Sequence, residues 1–356
     1  MTLGAPMTDR AMPETDARAS ARPAAQDART EGPLFAALDL GTNNCRLLIA
    51  RRARGGFRIV EAFSRIVRLG EGLSRTGELA PGAMDRAIEA LGICADRIRR
   101  RGVTRVRAVA TQACRSARNG AAFLARVERE TGLKLQIIDP SEEARLAVVG
   151  CSELIDSNFV SALVLDVGGG STELSWVRRR RDGDARPAEM LAWHSIPIGV
   201  VTLAERFPEP IPVDPDWYEA MVETMRAELA GFDGAEEHRS AFANGQAQLI
   251  GTSGAVTSLA SLHLGLRRYE RSRVDGLRMT AGECRAVAAD LLGLDHASRA
   301  AHGCIGPDRA DLVLAGAAIL EAVQRHWPCE HLRVADRGLR EGLLLSLMRR
   351  RRRRRG

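Results

Sequence analysis

Lysine is nearly missing from this chain: of its 52 basic residues, only Lys134 is lysine. That scarcity excludes mechanisms built on a catalytic or phosphate-loop lysine, and no Gly-x-x-x-x-Gly-Lys-Ser/Thr stretch occurs. Arginine carries the positive charge instead, and its planar fork suits bidentate contact with phosphate. A genome biased toward arginine codons explains the abundance more simply. Paired cysteine motifs are lacking too. The seven cysteines (45, 94, 114, 151, 284, 304 and 329) show no C-x-x-C and no disulfide-like spacing. Reduced, packed thiols in a cytoplasmic protein are expected. No apolar run reaches the length of a membrane span, and the N-terminus shows no apolar signal core.

Charge is unevenly placed. Arg349 to Arg355 supply seven positive charges, as many as the formal net of +7, so the rest is close to neutral. Any anion site must therefore be a local gathering of arginines. Residues 1–33 carry four Arg against five acidic residues without apolar periodicity, and read as a disordered leader. A length of 356 residues suits two domains.

Two segments repeat one pattern. Phe35-Ala-Ala-Leu-Asp39-Leu-Gly41-Thr-Asn-Asn44-Cys-Arg46 is matched by Ala162-Leu-Val-Leu-Asp166-Val-Gly168-Gly-Gly-Ser171-Thr-Glu173. Each is a β-rich apolar run, an Asp-x-Gly turn of small polar residues, and a second apolar run. Each reads as a hairpin whose turn offers backbone N–H groups and hydroxyls beside a carboxylate. Such N–H groups cradle phosphate, and a carboxylate holds a divalent cation. One copy would be an ordinary glycine-rich hairpin; two imply similar lobes facing each other across a polyanion.

Around these, strands and helices alternate, so an α/β fold is expected. Hairpins run to about Val67. Helices are expected over Met84–Arg101, Ala121–Thr131, Ser141–Leu154, Trp217–Leu229, Thr280–Leu292, Ala310–Gln324 and Gly338–Met348. Strands are expected over Thr104–Ala110, Lys134–Ile138, Ala247–Ile250 and Leu332–Ala335. Thr111–Asn119 reads as a loop, and Arg178–Pro187 as a solvated turn. Gly251-Thr-Ser-Gly254-Ala opens a further helix. Ser141 reads as the cap of its helix, with Glu142 and Glu143 in the first turn, where acids suit the positive helix end. A carboxylate there can also orient a water for attack on phosphorus. Phosphoryl transfer asks mainly for positioning and charge. Asp39, Asp166 and Glu173 can hold metal; Gly41, Thr42, Asn43 and Asn44, with Gly168, Gly169, Gly170, Ser171 and Thr172, can cradle phosphate; Arg46 and Arg115 can pair with it.

These stretches, with Ala110-Thr-Gln-Ala-Cys-Arg115, Glu142-Glu-Ala-Arg145, Pro197-Ile-Gly-Val, Gly251-Thr-Ser-Gly, Pro307-Asp-Arg-Ala-Asp and Asp336-Arg-Gly-Leu-Arg-Glu-Gly, resemble the exopolyphosphatase / guanosine pentaphosphate phosphatase family. That family belongs to the actin, sugar kinase and heat-shock ATPase superfamily. The resemblance implies two ribonuclease H-like lobes with a phosphate-binding cleft between them: domain I over 34–139 with a returning helix 336–348, and domain II over 140–335. It implies Glu143 as the catalytic acid residue that orients or deprotonates water, Glu142 ranking second, and Arg115 facing the phosphate chain. It implies Asp166 and Glu173 as holders of magnesium, to which the residue pattern adds Asp39. Where the family often has Ser-Gly before the catalytic segment, Asp139-Pro140 stands here. The chain resembles the short, two-domain form. The implied activity is magnesium-dependent release of terminal phosphate from inorganic polyphosphate, with guanosine pentaphosphate as the alternative substrate. An ATP-dependent kinase and a non-enzymatic actin-like scaffold are more distant alternatives. No membrane partner is expected, nucleic acid only non-specifically through the 349–356 arginine tail, and a homodimer is left open.

Overall fold

The computed structural model describes residues 32–180, 186–232 and 236–349. The leader before Gly32, the arginine run after Arg349 and the middle of the Arg178–Pro187 loop lie outside the described residues. One compact unit begins at Pro33 and contains two sheets. The first is ordered β3-β2-β1-β4-β5, from β1 (Leu34–Leu40), β2 (Asn44–Ala53), β3 (Gly56–Ile66), β4 (Arg105–Ala110) and β5 (Gln136–Ile137). The second is ordered β10-β11-β9-β6-β7-β8, from β6 (Ser161–Val167), β7 (Thr172–Arg178), β8 (Glu189–Ile196), β9 (Ala247–Thr252), β10 (Arg278–Thr280) and β11 (His331–Ala335). In each, an antiparallel three-strand meander lays its first strand beside a parallel one: β1 on β4, β6 on β9. This is the α/β, ribonuclease H-like arrangement that the family resemblance implies. β1 and β6 are apolar almost throughout because both of their faces are covered.

Helices flank both sheets. Pro81–Arg100 starts earlier than its apolar spacing suggests, because Pro81 fits the first turn, where a missing N–H costs nothing. Thr111–Asn119 is not all loop: Gln112–Ser116 closes one helical turn, with Arg115 N–H donating to the Thr111 carbonyl at 3.0 Å. Pro140–Cys151 is capped by Asp139, not by Ser141; the Asp139 carboxylate accepts from Glu142 N–H at 2.9 Å, and Pro140 takes the first helical position. Among the described residues no helix is long and apolar enough to cross a membrane.

Two helices join the sheets. Pro140–Cys151 sends Leu146 into a cluster with Phe35, Ala37 and Leu48 of the first sheet. Its Val148 and Cys151 pack with Ala162, Val164 and Ile250 of the second. The closing helix Leu339–Arg349 adds Leu343 and Leu344 to the first of these clusters. The two helices touch backbone to backbone. A Cβ on Gly342 would collide with the Leu146 carbonyl, and one on Gly150 with the Gly338 carbonyl. Gly342→Ala is therefore expected to cost about 1–3 kcal/mol in urea unfolding. It should also lower activity, because one helix carries Glu143 and the other Arg340. An unchanged unfolding midpoint would show that the contact is slack. Farther out, Arg68 Nη2 donates to Asp311 Oδ1 at 2.9 Å, and Glu205 accepts from Gly72 N–H at 2.7 Å and Ser74 Oγ at 2.6 Å. These contacts also tie the first half of the chain to the second.

Candidate active site

The two Asp-x-Gly turns are built alike. Gly41 N–H donates to the Asn44 carbonyl at 2.9 Å, and Gly168 N–H to the Ser171 carbonyl at 2.9 Å. In each hairpin the aspartate is paired in register with a charged residue: Asp39 with Arg46, Asp166 with Glu173. The turn carbonyls are held from behind. Thr42 O accepts from Gly70 N–H (2.9 Å), Asn43 O from Val67 N–H (2.9 Å), Gly168 O from Val200 N–H (3.0 Å) and Gly169 O from Val201 N–H (2.8 Å). Among the described residues the amides of Thr42, Asn43, Gly169 and Gly170 make no such backbone bond. They remain as donors for an anion.

The turns meet. A Cβ on Gly170 would stand 2.7 Å from Thr42 Oγ1, and one on Gly169 3.1 Å from Asn43 N. Glycine is required there because the opposite turn fills the space. Together they line a cleft of about 440 Å³, which also receives Asp39, Arg46, Glu143, Asp166 and Glu173.

Four carboxylates share this cleft: Asp39, Glu143 and Glu173 are buried, and Asp166 is partly buried. Burial pushes the Glu143 carboxyl well above its ordinary range; Glu173 raises it further, and Arg115 opposes the shift. Asp166 is pushed up to about 7, first by burial and then by Glu173. Asp39 and Glu173 are raised by burial as well, Asp39 being eased by Arg46 and Arg340. A raised carboxyl value marks a stronger base, and a cluster of this kind in a cleft marks a functional site. Arg115 fixes Glu143: Nη1 donates to Glu143 Oε2 at 3.2 Å and to the Ile138 carbonyl at 2.7 Å, while Nη2 donates to Gln112 Oε1 at 2.6 Å.

A hard cation fits part of this set. The Asp39, Asn43 and Asn44 Oδ1 atoms are buried without a hydrogen-bond donor. Orphaned oxygens beside mutually repelling carboxylates are what a divalent ion would satisfy. Glu173 is less free, since its Oε1 already accepts from Ser171 Oγ (2.7 Å) and Ser195 Oγ (2.9 Å). Among the described residues no three His, Cys, Asp or Glu side chains are grouped to hold a metal by themselves. Magnesium does not demand this, because one or two carboxylates, waters and substrate oxygens suffice.

Most of the sequence-derived candidates thus converge: Asp39, Gly41, Thr42, Asn43, Asn44, Arg46, Glu143, Asp166, Gly168, Gly169, Gly170, Ser171 and Glu173 line one cleft. Three readings change. Thr172 is wholly buried, and its hydroxyl donates to the Ile198 carbonyl at 2.7 Å, so that hydroxyl braces its own turn. Glu142 leaves the cleft to pair with Arg107 and, at 3.6 Å, with Arg145. Arg115 does not line the open space and instead stands behind Glu143. The structure adds Ser253, Arg309 and Arg340, which lie in the quoted motifs but carried no assigned role. Only the unusual density of small and charged residues in those motifs signalled them.

Residues 48–351 match the Ppx/GppA phosphatase family. The exopolyphosphatase 2 of Mycobacterium tuberculosis is 31% identical over 325 residues, covering 88% of this chain and 98% of that protein. The crystal structure of the Aquifex aeolicus Ppx/GppA family member superposes with a TM-score of 0.73 at 28% identity, over 90% of this chain and 98% of that one. That of an exopolyphosphatase-like protein reaches 0.78 at 30% identity, over 89% and 98%. The matched span takes in most of both sheets, the second turn and the helix of Glu143, so the carboxylate-lined cleft and the fold around it have one explanation: this chain is a phosphohydrolase that belongs to the Ppx/GppA phosphatase family.

Proposed function

We propose that the chain is an exopolyphosphatase that releases the terminal phosphate of inorganic polyphosphate. The observation that carries this reading is the meeting of two amide-lined turns beside the buried carboxylate of Glu143. The turn amides and Arg46 hold the phosphate chain. Glu143, its carboxyl raised by burial, accepts a proton from a water aimed at the end phosphorus. Arg115 keeps that carboxylate oriented and limits its rise. Little covalent chemistry is left for the protein, since phosphoryl transfer rests on alignment and charge. Asp39 and Asp166 would hold magnesium, which when bound supplies positive charge to the phosphate oxygens. Seven unbridged cysteines support a reducing, cytoplasmic setting.

The test is phosphate release from long-chain polyphosphate by the purified protein, with magnesium present and then chelated. Release with magnesium that falls at least about 100-fold on chelation is expected. Faster turnover of guanosine pentaphosphate would replace the substrate within the same cleft. Substrate-dependent ADP formation from ATP, without polyphosphate hydrolysis, would replace the reaction.

A further inference from the structure

Arg115 is placed by partners other than Glu143. Its Nη1 donates to the Ile138 carbonyl at 2.7 Å and its Nη2 to Gln112 Oε1 at 2.6 Å, while the bond to Glu143 Oε2 is the longest of the three at 3.2 Å. Short bonds fix a guanidinium, and the long one takes what geometry is left. Ile138 supplies a backbone carbonyl. Gln112 supplies a side chain, and that side chain lines the cleft.

The Gln112 amide has one satisfied orientation. Gln112, Arg115 and Ser116 are neighbours on the single helical turn Gln112–Ser116, at spacings of three and four residues. Arg115 has donors only, so it requires the amide oxygen. Nε2 is then left to donate to Ser116 Oγ, at 2.9 Å. The stem of the same side chain meets the second turn, since a Cβ on Gly170 would stand 3.0 Å from Gln112 Cγ. One residue thus spans the distance from the second Asp-x-Gly turn to the cation behind Glu143.

Glu143 depends on this chain of contacts. Among the described residues its carboxylate accepts a hydrogen bond from Arg115 alone, through Oε2. Oε1 is left for water. A guanidinium released at Nη2 carries an unpaired donor in a partly buried place, which is costly until a new acceptor is found. Glu143 is already its ion-pair partner, and the fork of an arginine favours capture of both carboxylate oxygens. Such capture would occupy the oxygen that water needs.

We propose that Gln112 is a positioning residue for the reaction: seated against Gly170, it holds Arg115 to one oxygen of Glu143 and keeps the other free for water. This rests on the reading of Glu143 as the proton acceptor and deepens it. Gln112→Met fills the space and loses both polar contacts. Its kcat for long-chain polyphosphate should fall about tenfold, with KM changed by less than about twofold, because the loss falls on alignment and not on substrate binding. Gln112→Glu still accepts from Nη2 and should restore most of kcat. Since the residue acts through Arg115, Gln112→Met should cost less than about twofold more in an Arg115→Met background. Thermal unfolding checks each variant, and Gln112→Leu replaces a methionine variant that does not fold. Unchanged kcat, a rise in KM alone, or losses that multiply in the double variant overturn the proposal and leave the function standing. A wild-type protein that hydrolyses no polyphosphate overturns the function instead. The crystal structure of Gln112→Met then decides the contact without turnover: Arg115 Nη2 moved onto Glu143 upholds it, and a guanidinium that stays in place removes it.

Discussion

Glu143→Gln is expected to lower kcat for phosphate release by about 10²–10⁴-fold, the usual contribution of a positioned proton acceptor. Glutamine keeps the volume, and its carbonyl can still accept from Arg115, which now lies 3.2 Å from Glu143 Oε2. What disappears is the ability to take a proton from water. Stability should hold or rise. The carboxyl is raised in the folded state, so its ionised form weakens the fold progressively as pH climbs through that raised value, and an amide removes the penalty. A folded variant with wild-type turnover would take Glu143 out of the reaction. The wild-type rate should also have an acidic limb displaced above the ordinary carboxylate range, because only the ionised form accepts the proton.

Asp166→Asn should produce two effects of opposite sign. Magnesium-dependent release should fall by about 10²–10³-fold, since the substitution would remove one of the two charged oxygens proposed to hold the ion. Stability in chelator at pH 8 should rise by on the order of 3 kcal/mol. The sign follows from the shift. Asp166 is pushed from 3.8 up to about 7 in the folded state, so the wild type is favoured below pH 3.8 and loses that advantage as pH rises to about 7. The gain from asparagine should therefore vanish near pH 4. Urea unfolding at the two pH values measures it, and equal differences at both would refute the buried-charge account. Adding magnesium to the wild type at pH 8 should restore part of the lost stability by mass action.

The twin hairpins were legible because their information is local. A β-rich run, Asp-x-Gly, small polar residues and a second run specify a turn within about a dozen residues, and apolar periodicity specifies the helices that follow. Helix ends were less so. Ser141 and Asp139 both look like caps, and only the 2.9 Å contact from Glu142 N–H selects Asp139. The loop assignment at Thr111–Asn119 failed because one turn of helix has no periodicity to read. The direction of the Thr172 hydroxyl was not legible for another reason: a threonine in a phosphate-like motif looks the same whether its hydroxyl faces a ligand or the Ile198 carbonyl.

From its residues alone, then, the chain determined that it has two carboxylate-bearing glycine turns, an Arg-based supply of positive charge and an acidic helix start at Glu142 and Glu143. Tertiary structure decided which of two neighbouring glutamates enters the cleft, that Arg115 braces Glu143, and that Arg271 captures Glu341. The physical reason is the range of the forces. Turn and helix propensities act between near neighbours, whereas ion pairing and desolvation depend on which distant segments the two backbone-tight helices bring into one low-dielectric space.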